Sequence, residues 1–250
     1  FQDVTFTYEG SETSALEHVS FCVDPGQTVA LVGPSGGGKT MAASLIPRFW
    51  DVTDGVVKVG GVNVAQIDSH VLMDHIAFVF QNDRLFKTSI LENVRASCPE
   101  ASRQEVIEAL SAAQCDDIIA KLPKGIDTLI GAEGTYLSGG EQQRIALARA
   151  ILKKAPIVVL DEATAFIDPE NEKKMQRAVK ELMKGKTVLT IAHKLRSVKN
   201  ADEIVVLDRG RIADKGRHEE LMSSCEIYQK LWCASEEAEQ WSLIRKEGRE

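Results

Sequence analysis

The chain has 250 residues, of which 44% are hydrophobic and 27% are charged, and its formal net charge is −7. This composition is typical of a globular protein with a substantial core, and it excludes a collagen-like or largely disordered chain. The acidic balance provides no global basic field, so we expect no nucleic-acid partner. No apolar run reaches the roughly 18 residues that a membrane-spanning helix needs.

Short segments rich in apolar residues predict the strands. Within the first sixty residues, the predicted strands cover residues 4–8, 19–23, 28–32 and 55–59. Two of these alternate apolar and polar residues, as half-buried antiparallel strands do. Later strands are predicted at residues 157–160, 188–191 and 204–207, where continuous apolar runs are typical of parallel strands covered on both faces.

The clearest helix is predicted over residues 169–184. Asp168 is placed to cap it, Pro169 suits the first helical position, and Gly185 supplies the stop. Apolar residues follow at helical spacing, namely Met175, Ala178, Val179, Leu182 and Met183. Because strands and helices alternate, the sequence predicts an α/β fold with a mostly parallel sheet.

The segment between residues 89 and 154 is rich in helical patterns. We therefore expect one domain over residues 1–235, in which 1–88 and 155–235 form the α/β core and 89–154 form a helical subdomain. A charged tail follows at 236–250. Since the chain begins at Phe1 instead of Met, in a segment with strand character up to Tyr8, we expect it to be part of a longer polypeptide.

A phosphate-binding loop follows the strand predicted at 28–32. The pattern GxxxxGK[ST] is matched by Gly33, Pro34, Ser35, Gly36, Gly37, Gly38, Lys39 and Thr40. Glycines allow backbone N–H groups to surround a phosphate closely. Lys39 adds a positive charge for the β- and γ-phosphates, and Thr40 offers a hydroxyl ligand for Mg²⁺. A helix-compatible segment follows at residues 41–46, which is the context that this motif requires.

A second nucleotide motif ends the strand predicted at 157–160. Asp161 comes directly after this buried run, where its carboxylate is expected to hold Mg²⁺, and Glu162 follows it. Glu162 is placed to orient or deprotonate a water molecule. Together with the phosphate loop, these acids predict a nucleoside triphosphatase.

The octapeptide from Leu137 to Arg144 resembles the signature motif of ATP-binding cassette (ABC) proteins, with Glu141 where Gln is more usual. Its anion-binding groups are the Ser138 hydroxyl and the N–H groups of Gly139 and Gly140 at a predicted helix start. The resemblance implies that they face the γ-phosphate held by another cassette. It also implies a RecA-like core, an N-terminal antiparallel β subdomain and a helical subdomain that carries the signature.

Further motifs of the ABC family follow in order over about residues 1–225. Tyr8 resembles the aromatic residue that stacks on adenine, and Gln81 resembles the glutamine that contacts Mg²⁺ or the attacking water. His193 resembles the switch histidine that reaches the γ-phosphate. Residues 165–168 occupy the position of the family's D-loop.

Departures from the family pattern occur at three more positions. Met41 stands where a hydroxyl residue is usual, so that only its backbone N–H is left for the phosphate, and Ala165 and Ile167 replace Ser and Leu of the D-loop. Lys39 and Asp161 are retained, as are the catalytic Glu162 and His193, so the resemblance implies a competent ATPase.

The segments at residues 45–49, 85–93, 122–125 and 201–204 resemble exporter-type cassettes, which are fused to a membrane domain. The resemblance therefore implies ATP and Mg²⁺ as cofactors and a second cassette, of the same or a homologous chain, as partner. It implies a membrane domain preceding Phe1 and a location at the cytoplasmic face of the inner membrane. The five cysteines, without CxxC spacing, agree with a reducing compartment. The sequence leaves open the cargo, the direction of transport, and whether the pairing cassette is identical.

Two other classes share some of these motifs. Soluble ABC ATPases that act on nucleic acid or the ribosome are disfavoured, because the interval between Thr40 and Ser138 leaves no room for the coiled coil of the DNA-repair members, and the chain is acidic with a single cassette. A phosphate-loop kinase for a small substrate is disfavoured by the second anion motif. ATP-dependent dimerisation distinguishes a cassette from such a kinase.

Overall fold

The computed structural model describes residues 1–81, 84–131, 136–161, 169–192 and 195–247, and of residues 169–170 and 238–247 the backbone only. The chain forms two compact units. The first contains residues 1–72 and the chain from Leu189 onward, and the second contains Met73–Val188. Among the described helices, none combines the length and apolar character needed to cross a membrane.

In chain order, the strands are β1 (Gln2–Thr7), β2 (Ser14–Val19), β3 (Thr28–Val32), β4 (Asp54–Val56), β5 (Lys58–Val59), β6 (Val62–Asn63), β7 (Ile76–Val79), β8 (Ile157–Asp161), β9 (Thr187–Ile191), β10 (Glu203–Asp208) and β11 (Arg211–Gly216). The helices are α1 (Lys39–Leu45), α2 (Ser69–Asp74), α3 (Ile90–Arg95), α4 (Arg103–Ala112), α5 (Asp116–Lys121), α6 (Gly139–Lys153), α7 (Pro169–Met183), α8 (His218–Ser224) and α9 (Glu226–Glu247).

The first unit begins with a three-stranded antiparallel sheet in the order β2-β1-β4. Val4 of β1 lies opposite Val19 of β2, and both side chains are fully buried. On the other side of β1, Thr5 lies opposite Asp54. The predicted N-terminal antiparallel β subdomain is therefore confirmed.

The same unit contains strands in the order β11-β10-β3-β9. β3 pairs in parallel with β10, with Val32 opposite Val206, and β10 pairs antiparallel with β11. The apolar residues of β3 and β10 are buried on both faces, as continuous apolar runs predict. Tyr228 and Trp232 of α9 pack into the core beside these strands.

Two strand predictions were wrong in their bounds. The segment 19–23 is not a strand, because β2 ends at Val19. Phe21, whose apolar character suggested a continuing strand, is buried by stacking on Phe1 with ring centroids 4.4 Å apart. The segment 55–59 is divided between β4, which pairs with β1, and β5, which pairs with β6 in a hairpin.

The second unit pairs β7 and β8 in parallel, with Val79 opposite Leu160. Described elements between residues 90 and 153 are helical, and their apolar faces share one core with these strands and α7. In α7, Met175, Ala178 and Leu182 are all at most 1% exposed, which confirms the predicted apolar face. The domain division at residues 89 and 154 stays a prediction.

Candidate functional site

The phosphate loop turns between β3 and α1 at positions that only glycine satisfies. Gly33 has φ +145°, and a Cβ built there would lie 1.9 Å from the Leu207 carbonyl oxygen. A Cβ at Gly37 would lie 2.8 Å from the same oxygen. Gly38 has φ +98°, and its Cβ would lie 2.7 Å from the Ala15 oxygen. The close passage of neighbouring backbone therefore requires these glycines.

Lys39 folds back over the loop that precedes it. Its ammonium Nζ donates hydrogen bonds to the carbonyl oxygens of Gly33, at 3.0 Å, and Pro34, at 2.9 Å. Thr40, the next residue of α1, is exposed, whereas Met41 is only 7% exposed and packs into the core. The side chain of Met41 thus has a packing role, which leaves its backbone N–H as the group available to a ligand.

Tyr8 follows β1 and belongs to an aromatic cluster. Its ring packs edge-on against Phe6, with centroids 5.0 Å apart, and against Trp50, with centroids 5.6 Å apart. The segment before β4 is tied to β1 by the Thr53 N–H, which donates to the Thr5 oxygen at 2.9 Å. Sequence reasoning missed Trp50, because this contact depends on a pairing distant in the chain. Tyr8 itself is 44% exposed, so its ring is accessible to a base.

In the second unit, Asp161 and Gln81 lie at or just after the ends of two neighbouring parallel strands. Asp161 is the last residue of β8 and is only 6% exposed, and Gln81 comes two residues after the end of β7 and is exposed. Because Val79 lies opposite Leu160, the two oxygen-bearing side chains follow the same sheet edge. The role of Asp161 and Gln81 as magnesium ligands stays a prediction.

The signature motif forms the start of α6. Ser138 caps the helix: its Oγ accepts the N–H of Glu141 at 3.3 Å. The Glu141 carboxylate accepts the Ser138 N–H at 2.9 Å and its hydroxyl at 3.0 Å. Glu141 therefore completes a capping box, which gives this departure from the family pattern a structural reason. Ser138 and Gly139 are exposed at this helix end, with Gly140 next to them.

Several predicted site residues lie outside the described part of the chain. They are Glu162, Ala165, Ile167, Asp168 and His193. The capping role of Asp168 and the water-activating role of Glu162 were predicted from the local sequence pattern, and the roles of the others from the family resemblance.

Comparison with known proteins adds to this geometry. The family described as "ABC transporter" matches residues 16–165. The chain belongs to the ABC transporter family. The family that the motifs indicated is thereby confirmed. Membership in this family argues against a phosphate-loop kinase.

Relatives of this ABC chain include ATP-dependent lipid A-core flippases. Those of Vibrio cholerae and Albidiferax ferrireducens are 46% and 47% identical to it, each over 92% of the chain and 40% of their own length. The chain thus spans about two fifths of the length of these relatives. A solved structure of a bacterial Atm1-family ABC exporter with ATP bound has a TM-score of 0.87 and 37% identity, and the match covers 94% of this chain and 41% of that one. The predicted α/β fold class is confirmed.

The loop glycines allow a direct test of the packing constraint. We expect Gly33→Ala to lower the free energy of unfolding by about 3 kcal/mol or more, since backbone strain and overpacking each cost about 1–3 kcal/mol. Gly36→Ala is the matched control, because Gly36 has φ +79° but no neighbouring atom near its Cβ position. Gly36→Ala should lower the free energy of unfolding only by the cost of a left-handed backbone conformation, about 1–2 kcal/mol. Urea unfolding followed by circular dichroism measures both values, and equal losses would contradict the close-contact argument.

Proposed function

We propose that the chain is the nucleotide-binding domain of an exporter-type ABC transporter. It binds and hydrolyses Mg-ATP in a head-to-tail dimer with a second cassette, and this cycle powers transport across a membrane. The observation that carries the proposal is the glycine-built loop with the Lys39 ammonium held at its inner carbonyl groups. Membership in the ABC transporter family supports the same proposal.

ATP binding is assigned to the first unit. Backbone N–H groups of the loop receive the phosphates, and Lys39 exchanges its carbonyl partners for phosphate oxygens. The exposed ring of Tyr8, supported by Trp50, stacks on adenine. Lys39 also offsets the charge that develops on the transferred phosphoryl group, and this is its catalytic role.

The oxygen ligands of this chain suit Mg²⁺. No group of three His, Cys, Asp or Glu side chains is placed to hold a metal ion in the part of the chain that the structure describes. Mg²⁺ usually binds through one or two carboxylates together with substrate phosphates. Asp161, Thr40 and Gln81 would supply the protein oxygens. Bound Mg²⁺ neutralises charge on the β- and γ-phosphates.

The exposed start of α6 provides the contact to the second cassette. The N–H groups of Gly139 and Gly140 lie at a helix N-terminus, where the helix dipole favours an anion. The Ser138 hydroxyl, which donates to the Glu141 carboxylate, would exchange this acceptor for the anion. We assign this surface to the γ-phosphate held by the partner. Glu162 orients and deprotonates water, and His193 contacts the γ-phosphate, as the family resemblance implies.

The cargo and the cellular setting follow from the relatives. Proteins named ATP-dependent lipid A-core flippases match 92% of this chain. We infer that a membrane domain is fused to this cassette and that the cargo is a lipid of this type. The cassette then lies at the cytoplasmic face of the inner membrane, where ATP is available.

Replacing the loop lysine tests the ATP site. We expect Lys39→Ala to lower the ATPase rate at least about 10²-fold, because the phosphates lose their counter-charge. Lys58→Ala is the matched control, since Lys58 is an exposed lysine of the same unit outside the loop. A coupled phosphate-release assay measures both. A wild-type rate for Lys39→Ala would refute the assigned site.

Dimerisation tests the clamp. Glu162→Gln removes the carboxylate that activates water, so ATP should persist and hold two cassettes together. We expect a dimer on size-exclusion chromatography with ATP but not with ADP. Ser138→Arg in the same background should abolish it, because a bulky side chain fills the space meant for the γ-phosphate. A monomer with ATP at high concentration would point to a different partner cassette, and equal dimerisation with ADP would contradict the clamp.

Lipid stimulation tests the cargo. In phospholipid nanodiscs, the full-length protein should hydrolyse ATP faster when lipid A-core is added, because a bound cargo favours the closed state. The Lys39→Ala variant in the same discs controls for contaminating ATPases. Stimulation by an unrelated amphiphile but not by lipid A-core would contradict the proposed cargo and leave the ATPase assignment intact.

A further inference from the structure

A charged side chain lies inside the core of the second unit. Arg144, in the second turn of α6, is only 1% exposed. Its Nη1 donates to the Asp117 Oδ1 at 2.8 Å and, over a shorter distance, to the Gln114 oxygen. Its Nη2 donates to the Asn171 Oδ1 at 3.1 Å and to the Asp117 Oδ2 at 3.4 Å. One guanidinium therefore bridges three segments of the chain.

These partners lie at helix starts. Asp117 is in the first turn of α5, and Asn171 is the third residue of α7. Lys174, one turn further along α7, donates to the Asp117 Oδ2 at 2.8 Å. Burial opposes the ionisation of Asp117, but hydrogen bonds from Arg144 and Lys174 hold its pKa well below the usual range. The network thus consists of one carboxylate shared by two cations.

Stability alone is a weak reason for this network. Burying a guanidinium has a desolvation cost that often cancels the attraction of its partner, so apolar residues serve a core equally well. The Arg144 Nε has no hydrogen-bond partner among the described residues, which adds to that cost. A guanidinium is planar and has five donors in a rigid arrangement, so it fixes the geometry between the segments that it joins better than an apolar side chain does.

Arg144 links the start of α6 to the start of α7, and both helix starts adjoin sequence motifs of the proposed dimer. Ser138 caps α6 about 9 Å along the helix from Arg144, at about 1.5 Å per residue. The chain that enters α7 comes directly from Glu162 and residues 165–168. A rigid link between these helix starts would therefore fix the proposed γ-phosphate contact at Ser138 relative to the start of α7.

We propose that Arg144 is a positioning residue for ATP-driven dimerisation, which fixes the start of the signature helix α6 relative to the start of α7. This inference rests on the proposed function. Arg144 acts through Ser138, which lies at the start of its own helix. Nucleotide binding to one cassette depends on the loop of the first unit, so it should be unaffected when Arg144 is replaced.

The test uses the Glu162→Gln protein as parent and adds Arg144→Met or Asn171→Ala. Asn171→Ala keeps the Arg144–Asp117 ion pair and removes the bond from Arg144 to α7, so it decides the question if Arg144→Met fails to fold. Arg103→Met is the matched control, because Arg103 also pairs with an aspartate, Asp127 at 2.6 Å, but on the surface. Leu110→Ala, a fully packed core position of α4, controls for lost stability.

We expect both test variants to bind ATP with parental affinity in fluorescence titration and to dimerise at least about tenfold more weakly in sedimentation, a change of about 1.4 kcal/mol. Hydrogen exchange should become faster at residues 139–145 and 171–175. Arg103→Met and Leu110→Ala should keep the dimer, the latter despite a lower melting temperature.

Parental dimerisation by both test variants would overturn the proposal. An equal loss of the dimer in Leu110→Ala would also overturn it, since the effect would then follow stability. If the parent itself stays monomeric with ATP, the proposed self-pairing fails instead. Hydrogen exchange then tests the role of Arg144 independently of dimerisation. Unchanged exchange rates at the starts of α6 and α7 in the two test variants would refute positioning by Arg144.

Discussion

The carbonyl oxygen of Leu207 occupies the space that a side chain at Gly33 or Gly37 would need. This contact follows from the parallel register of β3 and β10, in which Val32 lies opposite Val206. The chain leaving β3 must therefore turn directly against the end of its neighbour. The turn brings the loop carbonyl groups within reach of Lys39, and α1 begins there. The geometry of the loop thus depends on a backbone approach that excludes a Cβ at Gly33 and at Gly37.

Two departures from the family pattern, Glu141 and Met41, have local structural reasons. Glu141 closes a capping box on Ser138, and its charge suits the positive end of the helix dipole. Met41 is buried in the core behind the loop. Each substitution serves packing or capping and leaves the backbone N–H groups in place. A side-chain change in an anion motif is tolerated when the anion is held mainly by backbone.

Sequence reasoning succeeded where burial is continuous and failed where it depends on distant contacts. The strand at residues 28–32 was predicted with correct bounds, because successive apolar residues, which lie on opposite faces of a strand, are all buried. The segment 19–23 was predicted as a strand because Phe21 is apolar, yet stacking on Phe1 buries that ring. Trp50 beside Tyr8 could not be inferred from any local spacing. The phosphate loop and the signature were predictable because backbone anion binding requires glycines at fixed intervals.

The ammonium of Lys39 donates hydrogen bonds to two carbonyl oxygens of its own loop. In the proposed function, ATP binding is therefore an exchange, in which two carbonyl hydrogen bonds are given up for new ones to phosphate oxygens. The carbonyl oxygens are neutral, whereas phosphate oxygens carry negative charge, and the attraction between the ammonium and a phosphate group increases with the charge of that group. The proposed site would consequently favour a polyphosphate over a singly charged anion before any contact with the base is made.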